Sequence, residues 1–136
     1  MDDLGQVTQS LEQLAETGVD ITPQVYQRFF ALCPAAEPLF ASTEARSVQG
    51  KMINELVQTV LDQLENQPYS QTVMETMAND HEGWGVTLPM YQAFLAAFLH
   101  VLAETLGDTA DSPVMAAWQR QFDQILQRVE AVLAGG

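Results

Sequence analysis

The residues MANDHEGWGV, at positions 77 to 86, contain His81, one of only two histidines in the chain. His81 stands at the end of a helical pattern, just before Gly83 and Gly85. A histidine at this position could be an exposed side chain, a charged group favoured by the dipole of a helix end, or the single protein ligand of a metal. The residues around His81 alone leave these three interpretations open.

Cys33 is the only cysteine, so no disulfide can form within the chain. It stands in FFALCP, an apolar context that indicates a core residue rather than a nucleophile. Cysteine usage therefore favours the cytoplasm. No apolar run reaches the ~18 residues that a membrane span requires, and we expect no membrane association.

Acidic residues dominate the charge of the chain. The chain contains 18 Asp and Glu but only 5 Lys and Arg, which gives a formal net charge of −13. Such a charge repels phosphate groups and argues against nucleic acid as a partner. We interpret the carboxylates as a solvated surface rather than as catalytic pairs. With 136 residues, 47% of them hydrophobic, we expect a single domain over residues 1–136.

Apolar residues recur three and four positions apart, which predicts an all-α fold. The first helix ends near Gly18. Thr22 as N-cap and Pro23 as the first helical residue begin a second helix, which Pro34 interrupts. The next segment, PAAEPLF, predicts a short helical turn.

Four longer helices are predicted after this turn. They run from Thr43 to about Glu65, from about Ser70 to His81, from Thr87 through Leu106, and from Pro113 to about Leu133. Their uneven lengths do not fit a simple four-helix bundle.

Five local features together resemble a bacterial single-domain haemoglobin of the three-over-three globin family. VYQRFFALCPAAEPLF resembles the globin B helix, its final proline and the C helix. SVQGKMINEL resembles the distal E helix, and MANDHEGWGV the end of the F helix. Tyr91 matches the start of helix G, and AAWQRQF, with Trp118, resembles the start of helix H. The resemblance implies a globin fold of about seven helices around a haem pocket.

On the proximal side, the resemblance implies haem b as the cofactor, with His81 as the protein ligand of the iron. The opposite face of the iron then stays open for a diatomic gas. Met77, one turn before His81, would pack under the porphyrin, and its carbonyl would accept the second imidazole proton.

On the distal side, the resemblance implies that Tyr26 and Gln49 donate hydrogen bonds to the gas and favour oxygen over carbon monoxide. Tyr26 could instead be a core aromatic whose hydroxyl reaches solvent or a backbone carbonyl, and Gln49 could be an ordinary exposed residue. The remaining haem contacts are expected at positions that could equally be plain core packing: Phe40, Ile53, Val86, Tyr91 and Phe94.

Three further polar positions bear on the expected haem site. Arg46 or Lys51 could pair with the haem propionates or be solvated. His100 lies half a turn around its helix from Tyr91 and is expected to be structural or exposed. Phe122 and Leu133 stand where flavohaemoglobins carry a tyrosine and a glutamate, so the proximal push of electron density toward iron should be weak.

The resemblance implies a protein that reversibly binds oxygen or another diatomic gas at a five-coordinate iron. Nitric oxide dioxygenase activity is compatible with Tyr26 and Gln49 if an external reductase supplies electrons. Two alternatives stay open: a haem-based gas-sensor domain of a larger signalling protein, and a haem-free helical interaction protein on a globin scaffold.

Overall fold

The computed structural model describes residues 2–40, 49–65, 87–109 and 111–135. These residues form five α-helices and one 3₁₀ helix, with no strand among them, which confirms the predicted all-α class. The helices are α1 (Asp3–Thr17), α2 (Thr22–Leu32), the 3₁₀ helix (Pro34–Phe40), α3 (Gln49–Leu64), α4 (Leu88–Leu106) and α5 (Pro113–Gly135).

Local side chains and glycines fix the ends of α1 and α4. The Asp2 carboxylate accepts a hydrogen bond from the Gly5 amide at 2.8 Å and caps the start of α1. Gly18 ends α1 with φ +69°, and Gly107 ends α4 with φ +68°. Both adopt the left-handed conformation that glycine accepts without a steric penalty.

The start of α2 differs by one residue from its prediction. Thr22 was expected as the N-cap, but the helix already includes Thr22 and its N-cap is Ile21. The Asp20 carboxylate accepts the Thr22 amide at 3.0 Å just before the helix, while the N-cap residue Ile21 provides no side-chain capping bond.

Three helix pairs enclose the core: α2 with α4, α1 with α5, and α4 with α5. Phe98 of α4 packs against Trp118 and Phe122 of α5, with ring centroids 5.2 and 5.7 Å apart. All three rings are fully buried. This aromatic cluster holds the two longest helices together and fixes where α4 presents its other side chains.

Polar bonds join helices that are distant in sequence. The Trp118 Nε1–H donates to Ser10 Oγ at 2.9 Å and links α5 to α1 inside the core. Gln63 of α3 donates through Nε2 to the Gln121 side chain of α5 at 2.7 Å. Arg120 forms an ion pair with Asp3 at 2.6 Å, and this hydrogen-bonded guanidinium lowers the pKa of Asp3.

Two predicted segments lie outside the described residues: the helix from Ser70 to His81, and the start of the helix predicted from Thr43. The remaining predicted boundaries agree with α1, α2, α4 and α5 to within about two residues. None of the helices in the described ranges has both the length and the apolar character needed to cross a membrane.

Candidate functional site

Tyr26 lies where α2 meets α3 and α4, and its side chain is 2% exposed. Val25, Tyr26 and Phe29 are the buried residues of α2, because their spacing places them on its inner face. The Tyr26 hydroxyl donates to the main-chain oxygen of Gln49 at 3.3 Å. It also lies 3.5 Å from the sulfur of Met52. One hydroxyl of α2 therefore contacts the first turn of α3.

Aromatic rings from α2 and α4 surround Tyr26. Its ring centroid lies 5.5 Å from that of Phe94, 5.9 Å from Phe30 and 6.2 Å from Phe29. Phe29 and Phe94 meet edge to face at 5.3 Å. The hydroxyl thus stands at the border between an aromatic group and the polar backbone of α3.

Burial raises the pKa of Tyr26 above its ordinary value of 10.0. A phenolate would lose its solvation in this environment, so the neutral form is favoured. Tyr26 therefore keeps its proton throughout the physiological range. It can act as a hydrogen-bond donor but not as a base at neutral pH.

Gln49 and Ile53 stand one turn apart on α3. Ile53 is buried in the core, and Gln49 is half-buried. The structure brings Tyr26 and Gln49 together, but the described bond joins the tyrosine to the backbone of Gln49 and not to its amide side chain. This is the arrangement of a core aromatic bonded to a backbone carbonyl, one of the two interpretations left open for Tyr26.

Two more predicted contact residues lie on α4. Tyr91 and Phe94 are both half-buried and pack against the hydrophobic core. The Tyr91 hydroxyl oxygen is inaccessible to solvent. Through the ring of Phe94, α4 extends the apolar wall beside Tyr26.

Several predicted site residues lie outside the described part of the chain. His81, Met77, Val86 and Arg46 belong to this group. The backbone of Phe40 ends the 3₁₀ helix, while its side chain is outside the description. The roles assigned to all five therefore stay predictions.

His100 and Lys51 both lie at the surface. His100 is exposed, and its Nε2 lies 3.3 Å from the Glu104 carboxylate one turn later. Lys51 is exposed at the start of α3. Phe122, where flavohaemoglobins carry a tyrosine, is buried against Phe98 and Trp118.

Met52 is a site residue that the sequence interpretation missed. It was given no role from the sequence, yet its sulfur contacts the Tyr26 hydroxyl. Its position three residues after Gln49 was a usable signal, because residues three apart share a helix face.

Comparison with known proteins agrees with the all-helical fold. A globin family model matches residues 23–129, most of the chain. The chain is 30% identical over 129 residues to a flavohemoprotein of Xylella fastidiosa strain 9a5c, covering 90% of this chain and 32% of that protein. A flavohemoprotein of Halalkalibacterium halodurans is 26% identical over 115 residues, which cover 82% of this chain and 28% of the relative.

The chain therefore spans about a third of the length of these relatives. The matched residues include α2, α3 and α4, which carry Tyr26, Gln49 and Phe94. A family match of this extent, together with the all-helical structure, establishes that this chain belongs to the globin family.

Proposed function

We propose that this chain is a haem protein that reversibly binds a diatomic gas, with oxygen as the first candidate. Haem b would be the cofactor, and His81 the single protein ligand to a five-coordinate iron. Membership of the globin family supports this proposal, as does the similarity to proteins named for their haem. When bound, haem iron supplies the coordination position at which a gas is held.

The single observation that carries the proposal is the buried, protonated hydroxyl of Tyr26. Its bond to the Gln49 carbonyl is 3.3 Å long, beyond the usual 2.5 to 3.0 Å for a hydroxyl donor. A ligand with a better acceptor atom could take over this proton. The rings of Phe29 and Phe94 beside it form an apolar wall that excludes water. These residues fit a small, weakly polar ligand next to a flat apolar cofactor.

The neighbouring residues have complementary roles in this proposal. The Gln49 amide would donate a second hydrogen bond, and Ile53 would limit the space beside it. Phe40, Tyr91 and Phe94 would contact the haem from the distal side and from α4. On the proximal side, His81 would be oriented by the carbonyl of Met77, with Val86 against the cofactor edge.

Replacement of Tyr26 by phenylalanine tests the distal donor. In Tyr26→Phe we expect oxygen release to become about ten- to a hundredfold faster, because a charge-assisted hydrogen bond is lost. Bound carbon monoxide carries less negative charge than bound oxygen and accepts a weaker hydrogen bond. Its release rate should therefore change much less. Both rates can be measured by stopped-flow displacement on the haem-loaded protein.

Two controls accompany this measurement. Thermal unfolding of Tyr26→Phe must show a folded protein, and the carbon monoxide rate serves as an internal reference. Oxygen release at the wild-type rate in a folded variant would show that the hydroxyl stays on the Gln49 carbonyl. The distal assignment would then be rejected.

Nitric oxide dioxygenation is a second candidate function, favoured by the flavohemoprotein relatives. In this reaction nitric oxide and oxygen combine to nitrate while the iron gives up one electron. An external reductase must return that electron in each turnover, and the name of the relatives, flavohemoprotein, suggests a flavin as its carrier. Tyr26 and Gln49 would hold the oxygen in place, and nitrate formed per nitric oxide consumed measures the activity.

A further inference from the structure

The Tyr26 hydroxyl faces two acceptors on α3 that differ in character. The main-chain oxygen of Gln49, at 3.3 Å, is fixed by the helix backbone. The sulfur of Met52, at 3.5 Å, stands at the end of an unbranched side chain with three rotatable bonds. Met52 is half-buried.

A hydroxyl has one proton to donate. When it points toward Gln49 and Met52, it is withheld from any other acceptor beside the ring of Tyr26. A gas that takes this proton must therefore displace the contact to α3. Thioether sulfur is a weak acceptor, so the contact lowers the availability of the proton without abolishing it.

We infer that Met52 is a specificity-determining residue, which competes with the gas for the Tyr26 hydroxyl and thereby limits the preference for oxygen. This inference rests on the proposed function. Oxygen depends on the donated proton more than carbon monoxide does, so competition by Met52 weakens oxygen binding selectively. The flexible side chain can move, whereas the Gln49 carbonyl cannot leave its helix.

Met52→Leu removes the sulfur and keeps a side chain of similar volume. In the haem-loaded variant we expect oxygen release to slow by about three- to tenfold, which corresponds to one modest hydrogen bond. Carbon monoxide release should change by less than about twofold. In the Tyr26→Phe background the same replacement should leave oxygen release unchanged, because no hydroxyl remains to be freed.

A second readout needs no haem. In protein labelled with ¹³C at tyrosine Cζ, three signals are expected from the three tyrosines of the chain. The Tyr26 signal is identified by its loss in Tyr26→Phe, and it should shift in Met52→Leu. Met115→Leu is the matched control: Met115 is buried on α5, and its replacement should leave both this signal and the gas kinetics unchanged.

The outcomes separate this inference from the proposed function. If wild-type protein binds oxygen and Tyr26→Phe releases it faster, an unchanged rate in Met52→Leu overturns the role of Met52 alone. An effect that persists in the Tyr26→Phe background overturns it as well. If the haem-loaded wild type binds no gas, the proposed function fails, and this inference fails with it.

Discussion

At the scale of single residues, the hydroxyl of Tyr26 decides what this site can do. Burying a hydroxyl costs free energy unless it finds a hydrogen-bond partner. A phenylalanine would fill the same space between Phe29 and Phe94 without that cost. This cost is offset when the hydroxyl donates its proton in a hydrogen bond, and apolar surroundings strengthen that hydrogen bond. In the structure the Tyr26 hydroxyl bonds a backbone carbonyl, and its role as a ligand contact is a proposal.

Gln49 provides the second test at this scale. Replacing its amide in Gln49→Leu should speed oxygen release by about three- to tenfold, because one neutral donor is lost. Gln58→Leu is the matched control on the same helix: Gln58 is exposed and donates to Asp62 at 2.9 Å. Displacement kinetics should match wild type in the control. Equal oxygen release rates in Gln49→Leu and Gln58→Leu would mean that Gln49 contributes to the site only through its backbone carbonyl.

The site residues were predictable from sequence to different degrees. Tyr26, Gln49 and Ile53 could be placed near one another, because their spacing follows a known family pattern. Met52 was given no role, although it shares a helix face with Gln49; its contact with Tyr26 depends also on how α3 is rotated against α2. The acceptor of the Tyr26 hydroxyl was left open between a bound gas, solvent and a backbone carbonyl, because residue spacing does not fix the direction of a hydroxyl.

At the scale of helices, local sequence signals predicted where helices begin and end. They did not predict the contacts between residues far apart in the sequence. Gly18 and Gly107 end their helices in the left-handed backbone conformation. Because glycine favours such ends, they can be predicted from the residue type. The start of α2 was misplaced by one residue because Thr22, whose amide donates to the Asp20 carboxylate, already lies inside the helix. The buried amides of Gln63 and Gln121 are 58 positions apart, and no periodicity pairs them.

The contact between α1 and α5 yields a prediction for stability. Ser10 and Trp118 are fully buried, and the indole N–H donates to the serine hydroxyl at 2.9 Å. In Ser10→Ala this N–H loses its partner, so the free energy of unfolding should fall by about 1 to 3 kcal/mol. Urea unfolding of haem-loaded wild type and variant measures the difference.

Thr8→Ala controls for the change in side-chain type on the same helix. Thr8 is exposed, and its replacement should alter the free energy of unfolding by at most about 0.5 kcal/mol. An equal loss in both variants would show that α1 propensity, and not the buried hydrogen bond, determines the effect.

At the scale of the whole molecule, the helical class and the negative net charge were the most predictable properties. The net charge of −13 is a sum over the composition and needs no structure. The all-α class follows from apolar spacing sustained along the chain. The expected single domain over residues 1–136 stays a prediction, as does the count of about seven helices.

The relatives that this chain matches are about three times as long as the chain. The dioxygenase candidate needs an electron donor and the sensor alternative needs a signalling partner, and these have to come from elsewhere in the protein or from another chain. The sensor alternative and the dioxygenase candidate differ in this respect. Both nevertheless need the same haem, whereas a haem-free interaction protein on the globin scaffold does not.

The most direct test of the central claim uses the two histidines of the chain as test and control. Wild type, His81→Ala and His100→Ala are each titrated with haem, and the Soret band is recorded before and after reduction and addition of carbon monoxide. His100 is exposed and paired with Glu104, so its variant should bind haem as wild type does. His81→Ala should lose the band or shift it to that of weakly held haem. A Soret band identical in wild type and His81→Ala, or no band in wild type, would contradict the account.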